Sequence, residues 1–151
     1  MSEAELDRDV RVAIGRSIKM TGRIPTIADV ATEGPLEREV VDASFGRMID
    51  AHVFIPMPDS HEIYAFNPFC VGPTDFFVTA AGHLHFAICA WDALGISPAL
   101  GAEGTVEARC GDCALPIGID VDGKGGARAI GEVVVQIAVP ARDFWKDIIH
   151  T

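Results

Sequence analysis

An α+β fold is predicted for this chain: an N-terminal winged-helix-like three-helix module, followed by a mixed sheet packed with helices. Three observations carry the prediction. Apolar residues recur at helical spacing through residues 7–52. Two short apolar runs, "VFIPM" and "EIYAF", then flank the turn-forming "PDS". Beyond residue 104 the chain alternates, is rich in β-branched residues and is broken by glycine-rich turns, as sheet strands are.

The first helix is read in "DRDVRVAIGRSIKMTG", where Val10, Ile14 and Ile18 form one apolar stripe and Gly22 with Pro25 ends it. A second, short helix fits "TIADVATEG" with Thr26 as its N-cap. The third is read in "PLEREVVDASFGRMIDAH", with Pro35 in the first turn and Leu36, Val40, Phe45 and Ile49 on the buried side. The hairpin then completes a module over residues 1–66, and a second domain is expected over 67–151. There, "DFFVTA" reads as a strand, and "HFAICAWDALGISPALG" reads as a helix that Gly95 and Pro98 close. "TVEARCGDCALPIGIDVDGKGG" and "AIGEVVVQIAVP" read as strands, with Asp122 to Gly126 as the turn between them. A last amphipathic piece is expected over residues 141–151.

Composition excludes several classes of function. The chain has 151 residues, 49% of them hydrophobic and 23% charged, enough for a core of its own. Its apolar runs are too short to span a bilayer, and the acidic "MSEAELDRDVRV" is unlike a signal peptide, so no membrane partner and a cytoplasmic location are expected. A formal net charge of −10 disfavours nucleic acid. The first 66 residues hold seven Lys or Arg against twelve Asp or Glu, a net of −5. The third helix adds Glu37, Glu39, Asp42 and Asp50 against Arg38 and Arg47, which is a poor surface for DNA and favours a structural role for the module.

The chemistry lies in Cys89 and Asp92. On a helix, a three-residue spacing puts a thiol and a carboxyl on one face. Cys89 can be read as a small core residue and Asp92 as a helix acid bonded to nearby backbone. The other reading starts from the cost of the acid: beside Ile88, Trp91 and Leu94 a carboxylate is desolvated, so its pKa rises and it can hold a proton. The pair then offers a soft nucleophile or metal ligand beside a proton donor. In "RCGDCALP", Cys110 and Cys113 make half of a zinc-ribbon spacing; a plain strand-to-strand turn and weak metal binding both remain open. His52, His61, His83 and His85 read as surface or helix-end residues, and Trp91 and Trp145 as core or pocket-wall groups.

The run "GPTDFFVTAAGHLHFAICAWDALGISPALG" resembles the organomercurial (alkylmercury) lyase family, on Pro73 and Thr74, then Cys89 and Asp92, then Pro98, Ala99, Leu100 and Gly101. The likeness continues more loosely through the strand of Cys110 and "GEVVVQIAVP", and the N-terminal module is also similar. The resemblance implies protonolysis of carbon–mercury bonds. Cys89 would take the mercury of a small organomercurial and Asp92 would deliver the proton, both as catalytic residues, with Cys89 as the metal ligand. It implies no cofactor; mercury(II) is a ligand derived from the substrate. It also implies a second catalytic cysteine, which in the family falls after the last strand and helix, near "FWKDIIHT". Cys70, Cys110 and Cys113 are the other thiols, and none stands at that motif position. A shortened sequence, a homologue without full lyase activity, and a selenocysteine codon read as a stop are the three readings of that difference. The rival expectation is a protein that binds thiophilic metal or thiols, or regulates, and cleaves no bond.

Overall fold

The computed structural model describes residues 1–148. Helix α1 (Glu3–Thr21) opens on a reciprocal cap, in which the Glu5 amide donates to Ser2 Oγ at 3.3 Å and the Ser2 amide donates to the Glu5 carboxylate at 2.7 Å. It closes on Gly22 at φ 72°, a left-handed conformation that a side chain resists. Val10, Ile14 and Ile18 are fully buried on its inner face. Helix α2 (Ile27–Glu33) repeats the device with Thr26 and Asp29. Its Ile27 amide also donates to Glu62 at 3.0 Å, which ties the hairpin to the helices.

Helix α3 (Arg38–Asp50) begins three residues after Pro35, so that proline sits in the preceding turn and not in the helix. Its inner face is Val41, Ser44, Phe45 and Met48, whereas Val40 is 39% exposed. The expected stripe was therefore one residue out of phase at Val40. Two adjacent valines satisfy a helical spacing equally well, and only the packing partner decides between them.

The strands are β1 (Ile55–Pro56), β2 (Ile63–Phe66), β3 (Phe69–Cys70), β4 (Phe76–Ala80), β5 (His83–Ala87), β6 (Gly104–Arg109), β7 (Pro116–Val121) and β8 (Ala127–Ala129). They form one sheet in the order β1-β2-β3-β5-β4-β6-β7-β8, and each of these pairings is antiparallel, where a mixed sheet was expected. The reason lies in the connections, most of which are short turns between neighbours. The one helical crossover, α4 (Ala90–Leu100), joins β5 to β6, which run in the same direction but have β4 between them. β2 and β3 pair on either side of residue 66, so the hairpin and the later strands share the sheet.

α4 lies on one face of that sheet. Ala93, Ile96 and Leu100 pack with Val78, Ala80, Ala87 and Val106 in a core that also takes in α1, α2 and α3. The helix starts at Ala90 and not at His85, because residues 83–87 pair with β4 along their whole length. It also runs through Gly95 and Pro98 to a left-handed cap at Gly101, φ 65°. Gly95 serves approach instead of termination: a Cβ there would stand 3.4 Å from the Pro68 side chain, in the turn between β2 and β3.

The strand expected over residues 129–140 is replaced by the three-residue β8 and an irregular run. Gly131, at φ 88°, turns the chain away from the edge, and residues 133–136 then line a cavity over β6 and β7. A 3-10 helix (Ala141–Lys146) follows. The amphipathic piece expected to reach residue 151 ends in positions 149–151, which lie outside the described residues.

Candidate active site

Three segments converge at the N-terminus of α4. The first is the end of β5, fixed by Thr74: its hydroxyl donates to the carbonyl of Ala87 at 2.7 Å and accepts from the Phe76 amide at 3.3 Å. Thr74 thus staples the start of β4 to β5 two residues before Cys89. The second is the helix start, where Cys89 is the N-cap residue, in an extended conformation at φ −143° and ψ 174°. An N-cap side chain faces the first free amides of its helix. The third is the β2–β3 turn, which brings up Asn67.

Cys89 and Asp92 meet directly. The Cys89 thiol donates to Asp92 Oδ2 at 3.6 Å. On the other side of the carboxylate, Asn67 Nδ2 donates to both oxygens, at 3.1 and 3.2 Å. Asp92 is 7% exposed, Cys89 is half-buried and Asn67 is on the surface, so the acid is shielded while the sulfur remains reachable. Among the described residues, no ion pair to Asp92 is formed.

Electrostatics follow from that arrangement. Burial pushes the Asp92 carboxyl above the ordinary aspartate value, and the hydrogen bonds from Asn67 and Cys89 offset part of the rise. Burial likewise pushes the Cys89 thiol up; the Asp92 and Trp91 amides at the helix start pull it down, and the Asp92 charge pushes it up further. The effect is one-sided: Asp92 opposes ionisation of the thiol, whereas the thiol's hydrogen bond favours the carboxylate.

The remaining candidates are placed as follows. Cys70 is buried with Ile55 and Ala65, and its sulfur accepts from the Gly72 amide at 3.3 Å. Burial raises its pKa, and the charge of Asp92 adds to the rise, so the two groups feel each other. Cys110 and Cys113 lie in the β6–β7 turn, on another hairpin. His85, expected at the surface, is 3% exposed on β5, edge-on to Phe69, with Nε2 unpartnered. Trp91, expected in a core or pocket wall, is 66% exposed, because it occupies the helix position that faces away from the sheet. Trp145 is also exposed and stacks on His52 with ring centroids 4.4 Å apart. Among the described residues, no three His, Cys, Asp or Glu side chains gather as a metal cage, and no helix is long and apolar enough to cross a membrane.

Cavity volume does not select the site. A cavity of about 700 Å³ at the other end of the sheet, lined by Glu103, Asp120, Asp122 and Arg128, includes neither Cys89 nor Asp92 in its walls. Another, of about 600 Å³, begins at Ala90 and Leu94 in the first turns of α4 and reaches Cys110. The chemistry of the thiol and the uncompensated acid identifies the candidate site instead. Asn67 carries no signal in the sequence: it stands 25 residues before Asp92 and belongs to no catalytic spacing.

A thiol and a buried carboxyl of raised pKa in contact at a helix start, on an α+β scaffold, define a thiol–acid site. The family model of the alkylmercury lyases (MerB) matches residues 69–151, more than half of the sequence, and the chain belongs to that family. Ten chains of solved structures also match. One, described as the crystal structure of the mercury-bound form of MerB2, is 22% identical, with a TM-score of 0.58 over 75% of this chain and 56% of that one. At that identity the likeness establishes the fold, and this chain spans just over half the length of the solved one. No curated protein matches.

Proposed function

We propose that the protein cleaves the carbon–mercury bond of small organomercurials, with Cys89 as metal ligand and Asp92 as proton donor. The observation that carries this reading is the 3.6 Å contact between the thiol and a buried carboxyl that forms no ion pair among the described residues. Mercury is soft and prefers sulfur, so Cys89 takes R–Hg⁺ and loses its proton. That proton has a receiver in contact, Asp92 Oδ2. The carboxyl, now neutral and with its pKa raised by burial, returns the proton to the carbon as the C–Hg bond breaks, giving R–H, Asp92 carboxylate and mercury(II) on sulfur. Asn67 holds both carboxylate oxygens and so fixes the direction of transfer. Membership in the alkylmercury lyase family supports the reading, and so does the mercury-bound state of the similar solved protein.

A second sulfur donor on the metal pushes electron density toward carbon and weakens the bond, so excess small thiol should speed hydrocarbon release. Residues 1–66 are read as a structural module, since their net charge of −5 repels nucleic acid. The reaction is tested by single-turnover incubation with an alkylmercury compound, mapping the adduct by peptide mass spectrometry and detecting released hydrocarbon as gas. Cys89→Ser should lose both the adduct on the peptide carrying residue 89 and the gas. If the variant releases hydrocarbon as fast as the parent, the assignment fails and Cys110 and Cys113 take its place. An adduct on Cys89 with no hydrocarbon released by the parent, even with added thiol, would favour a metal- or thiol-binding protein.

A further inference from the structure

The Cys-Gly-Asp-Cys segment is not used by the chemistry at Cys89, yet it places two free thiols in one tight turn. β6 and β7 are joined across it by two backbone hydrogen bonds: the Cys110 amide donates to the Leu115 carbonyl at 2.9 Å, and the Ala114 amide donates to the Cys110 carbonyl at 2.9 Å. This tight turn folds Cys113 back toward Cys110. Hydrogen bonds from the Cys113 and Asp112 amides and from the Cys113 side chain lower the pKa of the Cys110 thiol. Both thiols are free, with Cys110 half-buried and Cys113 exposed. Cys110, Gly111 and Asp112 also line the cavity that begins at Ala90, the residue after Cys89.

We propose that Cys110 and Cys113 form a second soft-metal site, a two-sulfur clamp for mercury(II). Zinc in a structural site asks for four ligands, and none of the described clusters supplies them here. Mercury(II) is satisfied by two sulfurs in line. Binding converts two thiols and one mercury(II) ion into one S–Hg–S unit and releases two protons to solvent; no oxidant or reductant is involved. The clamp is separate from Cys89 and needs no bond cleavage there, so it stands or falls independently of the lyase reading.

The fully reduced chain is titrated with mercury(II) in excess monothiol, and bound metal is counted by native mass spectrometry. A parallel alkylation footprint shows which cysteines are shielded. A monothiol displaces a one-sulfur adduct readily, whereas a second thiol held nearby at millimolar effective concentration or above resists displacement. Cys89→Ser should therefore keep one mercury(II), with Cys110 and Cys113 shielded together. Further replacement, Cys110→Ser or Cys113→Ser, should weaken that retention about ten-fold or more. The footprint on the unsubstituted chain gives the same answer without any variant. Unchanged retention after Cys110→Ser and Cys113→Ser together, or shielding of only one of the pair, would overturn the clamp.

Discussion

Asp7 and Asp92 are the same side chain in two opposite settings. Asp7, on α1, faces α3: Arg47 donates to its two oxygens at 2.6 and 2.9 Å, and Ser44 Oγ donates at 2.6 Å. The hydrogen bonds from Arg47, ahead of the opposing effect of burial, hold its carboxyl below the ordinary aspartate value. Asp92 receives an amide and a thiol, neither of them charged, and burial drives it the other way. The first arrangement fastens two helices; the second raises the pKa of a buried acid beside a thiol. Partner charge decides which role an aspartate takes.

The largest effect should come from removing the proton of Asp92 while keeping its shape. Asp92→Asn is expected to retain capture of alkylmercury at Cys89 but to slow hydrocarbon release by roughly 10² to 10⁴-fold, the usual worth of a positioned acid. Rapid-quench gas detection beside adduct mass spectrometry separates the two steps. Next is the positioning group: Asn67→Ala removes hydrogen bonds that stabilise the carboxylate, so the pKa of Asp92 should rise further and the pH at which release declines should move upward. An unshifted pH profile would show that Asn67 does not govern the acid.

Stability should move in opposite senses at the two sites. Arg47→Ala leaves Asp7 without its cation and is expected to cost about 1 kcal/mol in urea unfolding at neutral pH, the scale of a partly exposed ion pair. Since the folded pKa of Asp7 is depressed, that contribution is present above the unfolded aspartate value of about 3.9 and is lost as pH falls through the folded value. For Asp92 the folded pKa is raised, so between the unfolded and folded values the native chain binds more protons, and stability falls as pH rises. Asp92→Asn should flatten that dependence and leave the protein at least as stable as its parent at pH 7. The smallest expected signal is with DNA: titration of a labelled duplex should show no salt-sensitive binding in the micromolar range.

The helical stripe of α1 was legible because Val10, Ile14 and Ile18 face one continuous core, so periodicity and burial coincide. The Cys-x-x-Asp spacing was legible too, since both residues belong to one helix start. The boundary before it was not: "HFAICA" is apolar on both faces, and only the pairing of residues 83–87 with β4 makes it a strand. For the same reason His85 was misplaced, since it packs edge-on to Phe69 across the sheet and its burial is not set by its neighbours in sequence. The "VVVQIAV" run has the composition of a strand, but composition does not reveal that the chain turns off the sheet edge at Gly131. Asn67 was invisible because its partner lies across a tertiary contact, through the turn that packs on Gly95.

The central claim is that burial raises the pKa of Asp92 beside a metal-binding thiol, so that the carboxyl can take the thiol's proton and pass it on. Carbon-13 NMR of the aspartate side-chain carboxyls, assigned by the Asp92→Asn and Asp7→Asn variants, measures that directly as pH is raised. The account predicts that Asp92 ionises above the ordinary aspartate value while Asp7 ionises below it. An Asp92 that loses its proton at or below the pH at which Asp7 does would contradict it.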